Sequence, residues 1–218
     1  VIADVTVTFI GLKQGLLTNQ AGDFVGELIY HHLDVPNQVF TSESSPEPVA
    51  QRIDINSTRI MFPPRAIASH KGSHGHVLVI GGDSNFAGAV IMAAEAALRS
   101  GAGLVSVITR SAHRPALLAR RPEVMVLGTE DDNPHIDDLI SKVTTIIIGP
   151  GLGRGSWARC LMQKALSTQI SMDKPLVIDA DALHLLAEKR EQSTAEKGTE
   201  IKRNNWILTP HPGEAAAL

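Results

Sequence analysis

Four short segments of this chain carry residue types that could hold a ligand or move a proton. They are Gly81-Gly82-Asp83, Gly149-Pro150-Gly151-Leu152-Gly153, Asp179-Ala180-Asp181 and Thr209-Pro210-His211-Pro212-Gly213-Glu214. The two glycine-rich segments are expected to leave backbone N–H groups bare, because glycine reaches positive φ and has no Cβ to keep a ligand away. A helical stretch opening near Ser156 would add the positive end of its dipole, which favours phosphate or another anion. The aspartates could hold a hydroxyl or a metal, although Asp181 fits a plain helix N-cap better. His211 is the most specific signal. Prolines on both sides fix its backbone, which suits a hydrogen-bonding or proton-handling imidazole aimed into a cleft; a satisfied structural histidine is the alternative. Gly88 and Ala89 open another helical stretch, where small residues permit a close ligand or close packing on a sheet.

Several familiar arrangements are missing. Neither the G-x-G-x-x-G spacing of dinucleotide folds nor a G-x-x-x-x-G-K-[ST] phosphate loop occurs. No nucleophile elbow, Ser-His-Asp order or Cys-His pair is visible. His74 with His76, and His31 with His32, lack further ligands at metal spacing.

The elements that position these segments follow from hydrophobic patterning. Val77–Ile80, Leu104–Ile108, Val124–Leu127, Val143–Ile148, Pro175–Ile178 and Trp206–Leu208 are short apolar runs without polar alternation, the mark of strands buried on both faces. Between them lie helical stretches: Ala87–Ser100, Ala112–Arg120 with Pro115 in its first turn, Ile136–Ile140, Trp157–Leu166 and Asp181–Lys189. Arg190 to Arg203 reads as loop, and Pro212 onward as the first turn of a helix. Alternation of this kind predicts a parallel α/β sheet, in which ligands sit beyond the carboxyl ends of the strands. The four segments, together with Thr109-Arg110, all fall at such ends. Upstream, Val1–Phe9 and Asp23–Ile29 read as two further strands, followed from Asn37 to Pro64 by a Pro-, Ser- and Glu-rich linker.

Composition excludes several classes. Of 218 residues, 43% are hydrophobic and 20% charged, with a formal net charge of −3. With no basic stripe, nucleic acid is not an expected partner. A single cysteine, Cys160, rules out an internal disulfide and fits a reducing compartment. No apolar run approaches the roughly 18 residues of a membrane span, and no signal peptide opens the chain.

The blocks HKGSHGHVLVIGGDSNFAGAV, EAALRSGAGLV, IIIGPGLG, LVIDADAL and ILTPHPGEAAAL, in this order, resemble the ADP-dependent NAD(P)H-hydrate dehydratase family. The front piece, with ADVTVTFIGLKQGLL, AGDFVGEL and DVP, is similar to the tail of an NAD(P)H-hydrate epimerase domain. The resemblance implies a partial ribokinase-like three-layer α/β fold with a mostly parallel sheet, preceded by the end of a Rossmann-like α/β epimerase domain. The expected division is epimerase tail 1–36, linker 37–64 and dehydratase part 65–218. The implied reaction is repair: water is removed from the S form of hydrated NADH or NADPH with ADP (or ATP) as co-substrate and Mg2+, giving AMP and phosphate from ADP. An epimerase that uses K+ would interconvert the two hydrates. An ATP-dependent kinase for a sugar or vitamin-precursor alcohol is the alternative on the same fold.

Carried over residue by residue, Ala89, Gly153 and His211 match the family's hydrate-binding positions, with Gly88, Gly151 and Asp179 as neighbours. The family's adenine-nucleotide stretch and catalytic aspartate are expected beyond Leu218, and the epimerase's catalytic and cation-binding residues before Val1, so this chain by itself is expected to be inactive. A cytoplasmic homo-oligomer is also implied.

Overall fold

β-Branched runs become strands wherever they can be covered on both faces, and the chain provides helices to cover them. The computed structural model describes residues 1–42, 45, 47–50, 52–59, 62–130, 133–194 and 204–218. Two units result, Val1–Arg65 and Ala66–Leu218.

In the first unit, β1 (Val5–Phe9) pairs in parallel with β2 (Glu27–His31), Val7 opposite Ile29. The second strand begins later than its apolar residues suggest. Asn19–Asp23 closes into a 3-10 turn instead, with Phe24 N–H donating to the Ala21 carbonyl. The stretch expected as linker contains two single-turn helices, α1 (Gln38–Thr41) and α2 (Ile55–Arg59). The rings of His31 and His32 stack, and each Nδ1 accepts a backbone N–H two residues on, from Leu33 and Asp34.

In the second unit strands and helices alternate: β3 (His76–Ile80), α3 (Ala87–Arg99), β4 (Leu104–Thr109), α4 (Arg114–Arg120), β5 (Met125–Gly128), α5 (Pro134–Lys142), β6 (Thr145–Ile148), α6 (Ser156–Met172), β7 (Leu176–Ile178), α7 (Asp181–Thr194), β8 (Trp206–Leu208) and α8 (Pro212–Ala217). All six strands are parallel, in the order β5-β4-β3-β6-β7-β8. Successive side chains point to opposite faces. Val79, Val105 and Val107 therefore join Val90, Ala94 and Leu117 in one core under α3 and α4. Leu78, Ile80, Ile146, Ile148 and Ile178 join Ile140, Leu161 and Ala182 in the other, under α5, α6 and α7. Each fully buried branched side chain contributes about 1.5–3 kcal/mol. The three layers match the expected fold, and among the described residues no helix is long and apolar enough to cross a membrane.

Two helices outrun their apolar pattern. α6 continues to Met172, because the Gln169 amide nitrogen finds partners inside: it donates to the Lys174 carbonyl at 3.1 Å and to Asn205 Oδ1 at 3.2 Å, while Oε1 is left without a donor among the described residues. The helix stops where Asp173 turns left-handed, at φ 50°. α7 extends to Thr194, so the start of the predicted 190–203 loop is helical; residues 195–203 lie outside those described.

At the amino end of the sheet, Lys174 is buried at 8% exposure. Its ammonium donates to the carbonyls of Ile140 (2.9 Å), Ser141 (2.6 Å) and Val143 (2.5 Å). These carbonyls belong to the last turn of α5 and the turn beyond it, where the helix dipole is negative. Burial pushes the Lys174 pKa down. Removing the charge leaves three carbonyls short of a donor. Lys174→Met is therefore expected to lower stability by about 2–4 kcal/mol, measured by urea unfolding; an unchanged midpoint would show the ammonium to be dispensable.

Candidate functional site

In this strand order the chain runs β3, β4, β5 outward to one edge and then returns to the other side of β3 for β6. The connection reverses direction between β3 and β6, and beyond the carboxyl ends of those two strands an open α/β sheet forms its ligand crevice. The loops that meet there are Gly81-Gly82-Asp83 and Gly149–Gly153.

They meet backbone to backbone. Gly82 N–H donates to the Pro150 carbonyl at 3.0 Å, and Asp83 N–H to the Gly151 carbonyl at 2.7 Å. A Cβ on Gly81 would lie 2.1 Å from the Pro150 oxygen, and one on Gly149 would lie 1.7 Å from the Asp179 oxygen. Glycine is required at both places by this proximity, and at Gly149 also by a φ of 127°. The expected row of bare amides is thereby mostly filled. Gly81 N–H bonds to Ile108, Gly149 N–H to Ile80, and Gly153 N–H to Asp181 Oδ2 at 2.9 Å. Among the described residues, Gly151 is the glycine of these two loops whose N–H has no partner. A broad anion cradle is not what these loops make.

The residues singled out from the sequence fall as follows. Ala89, half-buried in the first turn of α3, stands against the Gly149–Gly153 loop: a Cβ on Gly151 would be 3.4 Å from that of Ala89. Gly88 is exposed, and an added Cβ there would meet nothing within 4 Å. Gly153 lies against Asp83, whose Oδ2 would be 2.8 Å from an added Cβ. Ala89, Gly151 and Gly153 are thus brought together. Asp179, at the end of β7, accepts from Thr209 Oγ1 at 2.7 Å, which ties the β7 and β8 ends. Asp181 corrects an expectation. It is the first residue of α7, but its carboxylate reaches across to Gly153 N–H and, at 3.5 Å, to Arg154 Nε.

His211 lies on the same carboxyl edge, two strands from β6, and its partners are local. Its Nδ1 accepts from Gly213 N–H at 3.0 Å and Glu214 N–H at 3.2 Å, while Glu214 Oε2 accepts from His211 N–H at 2.9 Å. This is a capping box that starts α8, with Pro212 in the first turn. With Nδ1 occupied as an acceptor, the ring proton sits on Nε2, near Glu214 Oε1 at 3.4 Å. The imidazole can donate from that nitrogen; it cannot take a proton at Nδ1 without giving up the cap. His74 and His76 are likewise occupied, on Ser69 and Ser106 hydroxyls.

Arg110, noted only as a strand end, organises the β4 side. Its Nε donates to Asp83 Oδ1 at 2.7 Å, and its Nη1 to the Glu130 carbonyl at 2.9 Å and Oε2 at 3.2 Å. Its guanidinium lies 4.3 Å from the centroid of the Trp157 ring. A recess of about 440 Å³ opens beside Arg110, Glu130, Trp157 and Cys160. Burial raises the Asp83 pKa, but the hydrogen bonds from Arg110 and Ser84 N–H and the guanidinium charge outweigh it and hold the carboxyl below its ordinary range. An arginine directly after a buried strand, with an aspartate after the neighbouring one, is the signal that could have marked this pair. Among the described residues no three His, Cys, Asp or Glu side chains are grouped to hold a metal ion.

The family model of NAD(P)H-hydrate dehydratase matches residues 77–218. The bifunctional NAD(P)H-hydrate repair enzyme of Coxiella burnetii is 45% identical over 219 residues, covering 99% of this chain and 41% of that protein. The ADP-dependent (S)-NAD(P)H-hydrate dehydratase of Listeria monocytogenes is 39% identical over 157 residues, covering 70% of this chain and 52% of that one. The chain thus spans about half the length, or less, of these relatives. Among solved structures, an ADP/ATP-dependent NAD(P)H-hydrate dehydratase from Bacillus subtilis, co-crystallised with ATP/Mg2+, superposes with a TM-score of 0.54 at 29% identity, over 73% of this chain and 52% of that one.

The Asp83–Arg110 pair gives a pH prediction with a definite sign. A carboxyl held below its ordinary pKa contributes stability above that ordinary value and loses it as pH falls through the lower, folded value. A carbon-13 NMR titration of the Asp83 carboxyl should therefore show a midpoint below that of a free aspartate, moving upward in Arg110→Gln. A midpoint indifferent to that substitution would disprove the coupling.

Proposed function

This chain belongs to the NAD(P)H-hydrate dehydratase family, and we propose that the protein restores hydrated NADH or NADPH by adenine-nucleotide-dependent removal of water. The observation that carries the reading is the packing of Ala89, Gly151 and Gly153 at the point where the sheet reverses direction, within the segment that matches the family. Glycines of positive φ at 151 and 153 let this loop pack directly on Phe86 and Asp83, and in this reading the partly saturated ring lies at the rim of that junction.

The chemistry proceeds in two balanced steps. The 6-hydroxyl oxygen of the hydrate attacks the terminal phosphorus of ADP and gives up its proton to solvent; the new P–O bond forms as the bond to AMP breaks. The ring-nitrogen lone pair then expels phosphate from C6, and loss of a proton from C5 restores the 5,6 double bond. This chain's residues position the ring. Gly151 N–H is an unused donor facing the crevice loops, and α3 begins at Phe86 without a side-chain cap, so its first-turn N–H groups can receive a carbonyl or a developing negative charge. His211 Nε2–H offers another donor on the same edge. Asp179 and Asp181 hold the β7 and β8 ends against the loop beneath. Among the described residues no three His, Cys, Asp or Glu side chains gather around one point, so in this reading Mg2+ would be held chiefly by the nucleotide phosphates and water.

The segment before residue 37 is the end of an epimerase domain in this reading. Its alignment with the bifunctional relative of Coxiella burnetii, which covers 99% of the chain, supports that assignment.

The deciding assay incubates the full-length protein with hydrated NADH and ADP and follows recovery of NADH absorbance with release of AMP and phosphate. A stable phosphorylated alcohol without NADH recovery would instead identify a small-molecule kinase. Gly153→Ala, which forces a β-carbon onto Asp83 at a φ of 72°, should reduce kcat/KM about ten- to a hundredfold through misplacement of the ring. Full activity in that variant would separate Gly153 from the substrate.

A further inference from the structure

Asp83 has one carboxylate oxygen with nothing to do. Every hydrogen bond to its side chain reaches Oδ1: Arg110 Nε at 2.7 Å, Ser84 N–H at 2.8 Å and Ser84 Oγ at 3.4 Å. Among the described residues no donor reaches Oδ2. That oxygen lies against Gly153, on a side chain 24% exposed. The group cannot swing away, because Arg110 is itself held by Glu130 and by the face of Trp157. An ionised oxygen held in place beside a bare glycine is an acceptor built for a ligand donor.

Its neighbours narrow the choice of donor. The Gly151 N–H, one loop residue from the Leu152-Gly153 pair, is unpartnered, and the first turn of α3 lacks a side-chain cap. One fixed acceptor next to free N–H donors is the complement of a primary amide, which presents an NH2 and a carbonyl side by side. A phosphate would be repelled by Asp83. The 6-hydroxyl of the hydrate is also a poor partner, since a carboxylate beside it would oppose the approach of the phosphoryl group that must reach that oxygen.

Resting on the dehydratase reading, we propose that Asp83 Oδ2 binds the carboxamide NH2 of the hydrated nicotinamide ring, and so fixes which edge of the ring faces β3. The carbonyl of the same amide then lies towards the Gly151 N–H. C6, across the ring from the carboxamide-bearing carbon, is turned away from Asp83 and towards the strand ends of β7 and β8. Asp83 is thus a specificity-determining residue: it distinguishes a carboxamide from groups of similar shape that lack the donor.

The test compares two substrates in the full-length protein: hydrated NADH, and the hydrated form of its 3-acetylpyridine analogue, in which a methyl replaces the amide NH2. Wild-type kcat/KM should favour hydrated NADH by about ten- to a hundredfold, the usual consequence of leaving a partly buried charged acceptor unpaired. In Asp83→Asn this preference should shrink at least about fivefold, with circular dichroism and melting confirming that the variant is folded. Equal turnover of the two substrates by the wild type would overturn the proposal and leave the dehydratase reading standing. Undiminished preference in a folded Asp83→Asn would overturn it too. Absence of any NADH recovery by the wild type would overturn both.

Discussion

The close approach of two peptide segments governs the second unit. Where the loops after β3 and β6 meet, the carbonyl of Pro150 occupies the space a side chain at residue 81 would need, and the carbonyl of Asp179 does the same at residue 149. No residue other than glycine allows this contact, and the contact sets the distance between strand ends on either side of the reversal. It also determines the character of the crevice. Because the loops satisfy one another's polar groups, the crevice offers a few donors and the held carboxylates of Asp83 and Asp181 rather than a ring of free amides. Such a surface suits a neutral, flat, hydrogen-bonding group better than a phosphate.

Much of this architecture is legible in the residue order. Uninterrupted β-branched runs admit few alternatives to strands buried on both sides, and the glycines that follow them say where the chain must turn. The carboxyl-edge location of Ala89, Gly151, Gly153, Asp179 and His211 follows once the sheet is parallel. What was not legible depends on partners distant in sequence. Gln169 looks as though it lies beyond a helix ending near Leu166 until Asn205 and the Lys174 carbonyl are placed against it. Asp181 looks like a cap for its own helix until Gly153, 28 residues earlier, presents an N–H to it. The glycine amides look free until the facing loop is known. Polar side chains carry no periodic signature, so their pairings emerge only in three dimensions.

His211 illustrates how a functional expectation and a structural one can share a residue. The flanking prolines do fix its backbone, and the imidazole does stand on the rim. Yet Nδ1 is taken by the helix it starts, which leaves a single donor, of settled tautomer, on the other ring nitrogen. These hydrogen bonds restrict what the imidazole can do there. The Arg110–Trp157–Glu130 group shows the converse, a set of side chains without a motif that holds Asp83 beside Gly153.

Lys174 shapes the molecule from the opposite edge. One ammonium gathers carbonyls from the end of α5 and the turn beyond it, while its own backbone leads into β7. Two crossover connections are therefore fastened to a common rivet at the base of the sheet, far from the rim. A layered sheet pinned in this way behaves like a book held at its spine. Adjustment to an incoming molecule is left to the page edges, where the glycine loops lie, and the strands beneath need not slide.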